Sequence, residues 1–435
     1  GKSWVDREFA FPDRTIRLAT SFSGIGAIEY AMRRLGLKSK IVFAGDIDAN
    51  CKKSYFANYE IKEEQWHNDI HDFDAKPYRG KVDLFVGGAP CQAFSIVGEQ
   101  RGFEDTRGTL FREFARVVKE CQPKVFIFEN VQGLFKHDGG RTWEVVYNTF
   151  RDYCGYDVHY QLLNARDYGI PQTRERLYCI GFRKATKFKY PAPIPLRYKM
   201  YDFLEDYAAG EYYDAGHAVK LLTPNGDQRE ELLNGAKPED FNEFIFPIRE
   251  VDDKYYLSEK VAKYVLCPGT KSFKPPIKTD LDVARPLLQS MHKMHRAGVD
   301  NYVTFNKAKG IDGLRKLTPR ECLRLMGFKD DFKLVVSNTS AYMEAGNSIV
   351  VDVLIALLKQ MDITKYGIDN EEQICRHTKY KSQYRHRNRL AYSTVLPPGK
   401  NYTTRYIFQW YRGYRTCFSS LGAELSNSVR GRHRP

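Results

Sequence analysis

Five residues, Gly88-Ala89-Pro90-Cys91-Gln92, follow directly on the apolar run Val82-Asp83-Leu84-Phe85-Val86-Gly87. A buried strand fixes the backbone while a loop at its end exposes the sulfur, so Cys91 stands where a thiolate nucleophile would stand. A second apolar run, Val125-Phe126-Ile127-Phe128, ends in Glu129-Asn130-Val131 and sets a carboxylate at the end of another strand. Strand ends of an open parallel sheet converge on one crevice, which places Cys91 and Glu129 in one expected pocket. Singly, each has a plainer reading, since cysteine is commonly a small buried apolar residue and a strand-end glutamate is usually solvated. Arg174 and Arg176, in Gln172-Thr173-Arg174-Glu175-Arg176, read alone as part of a surface ion-pair run. Beside the other two they would offer donors to developing negative charge and favour the ionised thiol.

Elements of alternating type must position these groups. From Ile16 to about Phe182, strand-like apolar runs alternate with amphipathic stretches at Ile28 to Leu35, Leu110 to Glu120 and Thr142 to Tyr153. This rhythm predicts an α/β fold with a doubly wound, mostly parallel sheet over residues 15–186, after a leader of residues 1–14. Phe22-Ser23-Gly24-Ile25-Gly26 follows the first strand, and its glycines allow close backbone approach to a ligand. Glu29 stands where a nicotinamide-binding loop carries its third glycine, which argues against such an enzyme. From 187 to 306 prolines recur and periodicity fails, predicting a smaller, irregular inserted domain. Residues 187–253 carry 8 basic and 14 acidic side chains, whereas 254–306 carry 9 and 4, so the second half is the better candidate to face phosphates. Within it, Ser290-Met291-His292-Lys293-Met294-His295-Arg296 offers the most donors, and His292, Lys293, His295 and Arg296 are the expected base or backbone contacts. Thr318, Pro319 and Glu321 then spell a capped helix start, and Gly346-Asn347-Ser348 is expected to open a late apolar helix. Residues 307–361 thus return to complete the first domain.

The ordered set of motifs resembles the DNA (cytosine-5) methyltransferases of bacterial restriction-modification systems over roughly residues 15 to 361. That resemblance implies a Rossmann-like, class I S-adenosylmethionine-dependent methyltransferase fold with a target-recognition domain. It implies S-adenosylmethionine as cofactor, held by Phe22, Ser23, Gly24, Gly26, Asp46, Ile47, Asp69, Ile70, Pro90, Asn347 and Val350. Cys91 would attack C6 of a cytosine turned out of double-stranded DNA, with Glu129, Arg174 and Arg176 holding the base. The loop after the cysteine would close on DNA, with Gln92, Ser95, Val97 and Arg107 as contacts. Ile47 departs from the aromatic residue frequent there, and Ala89 from a bulkier residue or proline. A transfer-RNA cytosine-5 methyltransferase is the nearest rival, but such enzymes usually show a Cys-Phe-Thr signature and a reduced recognition region. Here about 120 residues separate Phe182 from Phe305. A catalytically silent DNA-binding relative is the other alternative, and the intact Cys91, Glu129 and Arg176 argue against it.

Composition bounds the partners. No apolar stretch approaches the roughly 20 residues needed to cross a bilayer, and the N-terminus shows no signal-peptide core, which predicts a soluble protein without a membrane partner. The nine cysteines include no Cys-x-x-Cys pair, so no metal site or disulfide framework is expected and a reducing, cytoplasmic setting fits. A monomer is expected, with a separately acting restriction endonuclease as a possible associate. Of the net charge of +14, residues 362–435 supply most, with 14 Lys and Arg against 5 Asp and Glu. This basic tail is expected to be a poorly ordered appendage, and its interleaved aromatics would suit nucleic acid.

Overall fold

The computed structural model describes residues 3–90, 110–208, 211–212, 244, 246–269 and 275–369. Cys91, Gln92, Ser95, Val97 and Arg107, and the tail from residue 370, lie outside the described residues. The chain runs β1 (Thr15–Thr20), α1 (Ala27–Arg34), β2 (Lys38–Gly45), α2 (Ala49–Asn58), β3 (Trp66–His67) and β4 (Leu84–Gly87). It continues through α3 (Leu110–Cys121), β5 (Val125–Val131), α4 (Arg141–Asn148), β6 (Asp157–Asn164) and β7 (Glu175–Phe182). These strands form one seven-stranded sheet in the order β3-β2-β1-β4-β5-β7-β6. The pairs from β3 to β5 are parallel, and β7 runs antiparallel between β5 and β6.

Both faces of the sheet are covered, so its central strands read as unbroken apolar runs. Side chains alternate across a strand, and β5 shows it: Val125 and Ile127 enter one core, Phe126 and Phe128 the other. The first core is closed by α1 and by α8 (Val351–Met361), which is buried almost all round. The second is closed by α3, through Phe111 and Phe114, and by Phe150 in the π-helical turn Thr149–Tyr153 that continues α4.

The inserted stretch contains α5 (Glu259–Val265) and a small core of its own, Leu257, Val265, Ala297, Tyr302 and Leu314 among it. Arg315, 1% exposed, ties it to the rest by donating to Asp206 Oδ1 at 2.7 Å and to both oxygens of Glu321 at 2.8 and 2.9 Å. Glu321 lies in α6 (Pro319–Arg324), which begins as its sequence predicts. Thr318 Oγ1 accepts from the Glu321 N–H at 3.1 Å, and Glu321 Oε2 accepts from the Thr318 N–H at 2.8 Å.

Three features depart from the sequence expectation or go beyond it. Gly346 and Asn347 close a helix, α7 (Asn338–Asn347), and α8 begins only at Val351. A Cβ at Gly346 would stand 2.3 Å from the backbone of Leu288 and Gln289, so the glycine answers a tertiary contact. The leader is strapped along α8: Trp4 is buried and donates to the Ala192 carbonyl at 2.9 Å, Lys359 donates to the Val5 carbonyl at 2.6 Å, and Arg7 to that of Gln360 at 2.8 Å. Residues 362–369 likewise belong to the fold rather than to the tail. Ile363 and Thr364 are fully buried, and Ile368 pairs with Thr15 of β1. Among the described residues only the stretch 338–361 is long and apolar enough to span a membrane, and 83% of its most apolar window is buried inside the fold.

Candidate active site

The carboxyl ends of β1, β2, β4 and β5 open on a single cavity of about 730 Å³. At one end lies the loop after β1. Its backbone turns through left-handed conformations at Phe22 (φ 52) and Gly24 (φ 53), which the glycine adopts freely and the phenylalanine at a cost of about 1 kcal/mol. Hydrogen bonds hold the turn against β2. Asp46 accepts from the Gly24 N–H at 2.9 Å, and Ser23 exchanges bonds with the backbone of Gly45, its N–H donating to the carbonyl at 2.9 Å and its hydroxyl accepting from the N–H at 2.8 Å. The Ser23 hydroxyl continues to Thr20 at 2.6 Å and from there to Glu29 at 3.2 Å, which also accepts from Tyr55 at 2.5 Å.

This end is acidic. Asp46, Asp48 and Glu344 line it, and burial holds the Asp46 carboxyl above the ordinary aspartate range. Glu344, beside the Ser54 hydroxyl at 2.9 and 3.0 Å, is pushed up to about 7 by burial, and the nearby Asp48 and Asp46 add to the rise. Glu29, sealed behind the loop, is likewise pushed up to about 7 by burial. Such a surface favours hydroxyl and ammonium donors over anions.

The other end is formed where β5 meets β7. Antiparallel register places Val131 opposite Arg176 and Glu129 opposite Tyr178, so the carboxylate and the guanidinium share the sheet end, with Arg176 Nε 3.7 Å from Glu129 Oε1. Burial raises the Glu129 pKa, while Arg176 and then Arg174 oppose the rise. A carboxyl so placed holds its proton more tightly than an exposed glutamate does and is aimed into the cavity where it could donate it. Gly88 makes this approach possible, because a Cβ there would lie 2.7 Å from the Glu129 carbonyl oxygen and 3.1 Å from its Oε2. Asn130, 3% exposed, donates from Nδ2 to the Ala89 carbonyl at 3.0 Å and so secures the loop leading to Cys91. Sequence reasoning passed over Asn130 as a working residue. Its signal was a second polar residue, beside Glu129, closing an apolar strand.

The cavity brings together Phe22, Gly24, Asp46, Ile47, Asp69, Ile70, Pro90, Glu129, Arg174, Arg176 and Asn347. Ile47 is 80% exposed at its rim, and Asp69 is turned toward His71, whose N–H and Nδ1 lie 3.0 and 2.7 Å from it. Three expected cofactor residues do not reach the lining. Ser23 spends its hydroxyl inside the loop, Gly26 leaves room for the Tyr59 ring, which a Cβ would meet at 2.3 Å, and Val350 packs in the core. Arg174 also departs from expectation. Its Nη1 donates to the Leu287 carbonyl at 2.8 Å, and its Nη2 to those of Gly346 and Ser348 at 2.8 and 3.1 Å, leaving Nε without a partner. In the inserted domain His295 is an internal bond former, at 3.0 Å from Ser290, with its carbonyl taken by Tyr302. The His292 Nδ1 is buried without a partner, and the residue as a whole is half-buried. Lys293 is exposed, and Arg296 lies 5.2 Å over the Tyr264 ring.

Comparison with known proteins agrees with this geometry. The family model for C-5 cytosine-specific DNA methylases matches residues 16–362. The type II methyltransferase M.HpaII of Haemophilus parainfluenzae is 33% identical over 353 residues, covering 78% of this chain and 87% of that protein. M.HhaI of Haemophilus parahaemolyticus is 32% identical over 342 residues, covering 78% and 92%. The fold is shared with the crystal structure of the S. pombe Dnmt2 methyltransferase at TM-score 0.54, 20% identity and coverage of 80% and 98%. It is shared with Entamoeba histolytica EhMeth at TM-score 0.57, 16% identity and coverage of 81% and 98%. A sheet with strand-end acid and arginine facing a glycine loop, matched by the family model across most of its length, makes this chain a member of the C-5 cytosine-specific DNA methylase family, an S-adenosylmethionine-dependent DNA methyltransferase.

Proposed function

We propose that the enzyme methylates C5 of a cytosine turned out of double-stranded DNA, through a covalent bond between Cys91 and C6. The observation that carries this is the shared sheet end: Glu129, its pKa raised by burial, stands beside Arg176 and against the loop that leads to Cys91. C5 and C6 inside a duplex are covered by stacking, so the base must leave the helix to be reached. The thiolate of Cys91 forms the S–C6 bond, and the ring electrons move toward N3. Glu129 donates to N3 as charge gathers there, and Arg176 faces O2. C5 has then become nucleophilic, and S-adenosylmethionine, when bound, supplies the methyl group from its sulfonium. N3 then returns its proton to Glu129, and transfer of the C5 proton to solvent water expels the Cys91 thiolate and restores the ring.

The acidic end suits this cofactor. Asp46 keeps acceptor capacity toward ribose hydroxyls while bonding Gly24, and Phe22, Ile70 and Asn347 line the same space. We assign DNA contact in the inserted domain to Lys293, Arg296 and the half-buried His292, with the exposed Tyr264 beside them and His295 as an internal support. The names of the bacterial type II relatives support a restriction-modification setting, and a monomer in the bacterial cytoplasm acting apart from any nuclease is part of this proposal.

Cys91→Ser should lose methyl transfer while still binding duplex DNA and S-adenosylhomocysteine, because a hydroxyl at this position is a far weaker nucleophile. The unaltered enzyme should form a denaturation-resistant adduct with DNA containing 5-fluorocytosine. A methylating serine variant, or no adduct with cofactor present, removes Cys91 from the mechanism.

A further inference from the structure

We propose that Arg174 is a positioning residue that couples cofactor binding to DNA binding, by holding the cofactor-lining turn and the start of the DNA-facing turn on one guanidinium. The inference rests on the reading of the cavity as the cofactor site. Arg174 is 4% exposed, and burial, reinforced by the like charge of Arg176, lowers its pKa to about 10. Its Nη2 bonds bracket Asn347, which lines the cavity, while its Nη1 bond holds Leu287, two residues before the cavity-lining Gln289.

The surrounding contacts make this a single joint. Gln172, fully buried, accepts from the Leu287 N–H at 3.1 Å and donates to the Leu325 carbonyl at 2.8 Å. Ala284 is paired with the loop before β7 through bonds of 2.8 Å to Pro171 and Thr173. Gly346 brings α7 within backbone contact of Leu288 and Gln289. From this joint the chain proceeds through buried Met291, whose carbonyl accepts from Lys316 at 2.9 Å, to exposed Lys293. A displacement of Leu287 by DNA must therefore be felt at Gly346 and Ser348, and the reverse, since three carbonyls share one rigid planar donor. Coupling of this kind is reciprocal and typically changes affinity by about 5- to 150-fold.

The test measures S-adenosylhomocysteine affinity by calorimetry, with and without a saturating duplex that the unaltered enzyme methylates. Unaltered enzyme should bind roughly ten-fold tighter with DNA present, and Arg174→Met should bring that ratio within about two-fold of one. Arg174→Lys, with one donor centre in place of a planar fork, should keep an intermediate ratio. No coupling in the unaltered enzyme, or an unchanged ratio in Arg174→Met even with both affinities weakened, overturns the proposal. If Arg174→Met does not fold, Arg174→Lys decides alone, and an unchanged ratio there has the same force. Asp46→Asn separates the two readings. If it leaves cofactor affinity intact, the cavity assignment fails; if it weakens affinity while the Arg174 variants keep the full ratio, only the coupling fails.

Discussion

At the carboxyl end of the sheet, Glu129 and Arg176 are set by backbone ladders, with β5, β7 and β6 paired residue for residue over their lengths. Among the described residues of the inserted stretch the ladders shrink to two-residue pairs, and a few buried charged groups join its small apolar core in holding it. Arg315 joins Asp206, near the start of that stretch, to Glu321 just after it, and Arg324 reaches the carbonyls of Phe203 and Leu204 at 3.3 and 3.0 Å. A ladder bond survives a change of side chain, whereas a buried ion pair that loses one member leaves the other desolvated and unpaired. The proposed catalytic groups Glu129 and Arg176 therefore stand on the part of the molecule whose geometry depends least on any one side chain. Substitutions there should change chemistry with little effect on stability, and substitutions in the charged cluster that holds the inserted stretch should change stability with little effect on chemistry.

Glu129→Gln is expected to break the chemistry alone. Single-turnover methylation should slow by about 10²- to 10⁴-fold, the range that acid–base groups supply, while the melting temperature stays put because the β5 ladder is made of backbone bonds. A rate within two-fold of the unaltered enzyme would remove Glu129 from the mechanism. Arg315→Met is expected to do the reverse. Stranding Asp206 and Glu321 should cost about 3–5 kcal/mol in denaturant unfolding, with the rate per folded molecule little changed. A loss under about 1 kcal/mol would show that the inserted stretch is held by something other than this cluster.

Glu29→Gln sharpens the comparison at smaller scale, because Glu29 is a buried charge placed within the sheet domain. Its pKa in the folded protein is about 7 against an ordinary 4.5, so between these values the native state holds a proton that the unfolded chain has released. Stability from this group is therefore present at low pH and falls as pH rises through that window, by at most about 3 kcal/mol. Glutamine does not ionise, so the melting temperature of the variant relative to the unaltered protein should be higher at pH 8 than at pH 5. An equal difference at both values would show that Glu29 titrates normally.

Much of the sheet domain was legible in the residues themselves. Strand runs such as Val125-Phe126-Ile127-Phe128 need both faces covered, and the Thr318-Pro319-Glu321 cap is a local hydrogen-bond pattern that needs no distant partner. The order and spacing of the motifs along the chain carried the resemblance to the family, which the family model bears out over residues 16–362. The roles of Arg174, Gly346, Gly26 and His295 were not legible. Each is decided by a contact across a long stretch of sequence or by an internal bond: Arg174 with Leu287 and Ser348, Gly346 with Leu288, Gly26 with Tyr59, His295 with Ser290. The sequence alone determined which chemistry the chain carries and which runs become strands, since both follow from residue type and short-range pattern. Only the tertiary structure decided which polar groups face the cavity and which are consumed in building it, because a donor's availability depends on what the fold brings within about 3 Å of it.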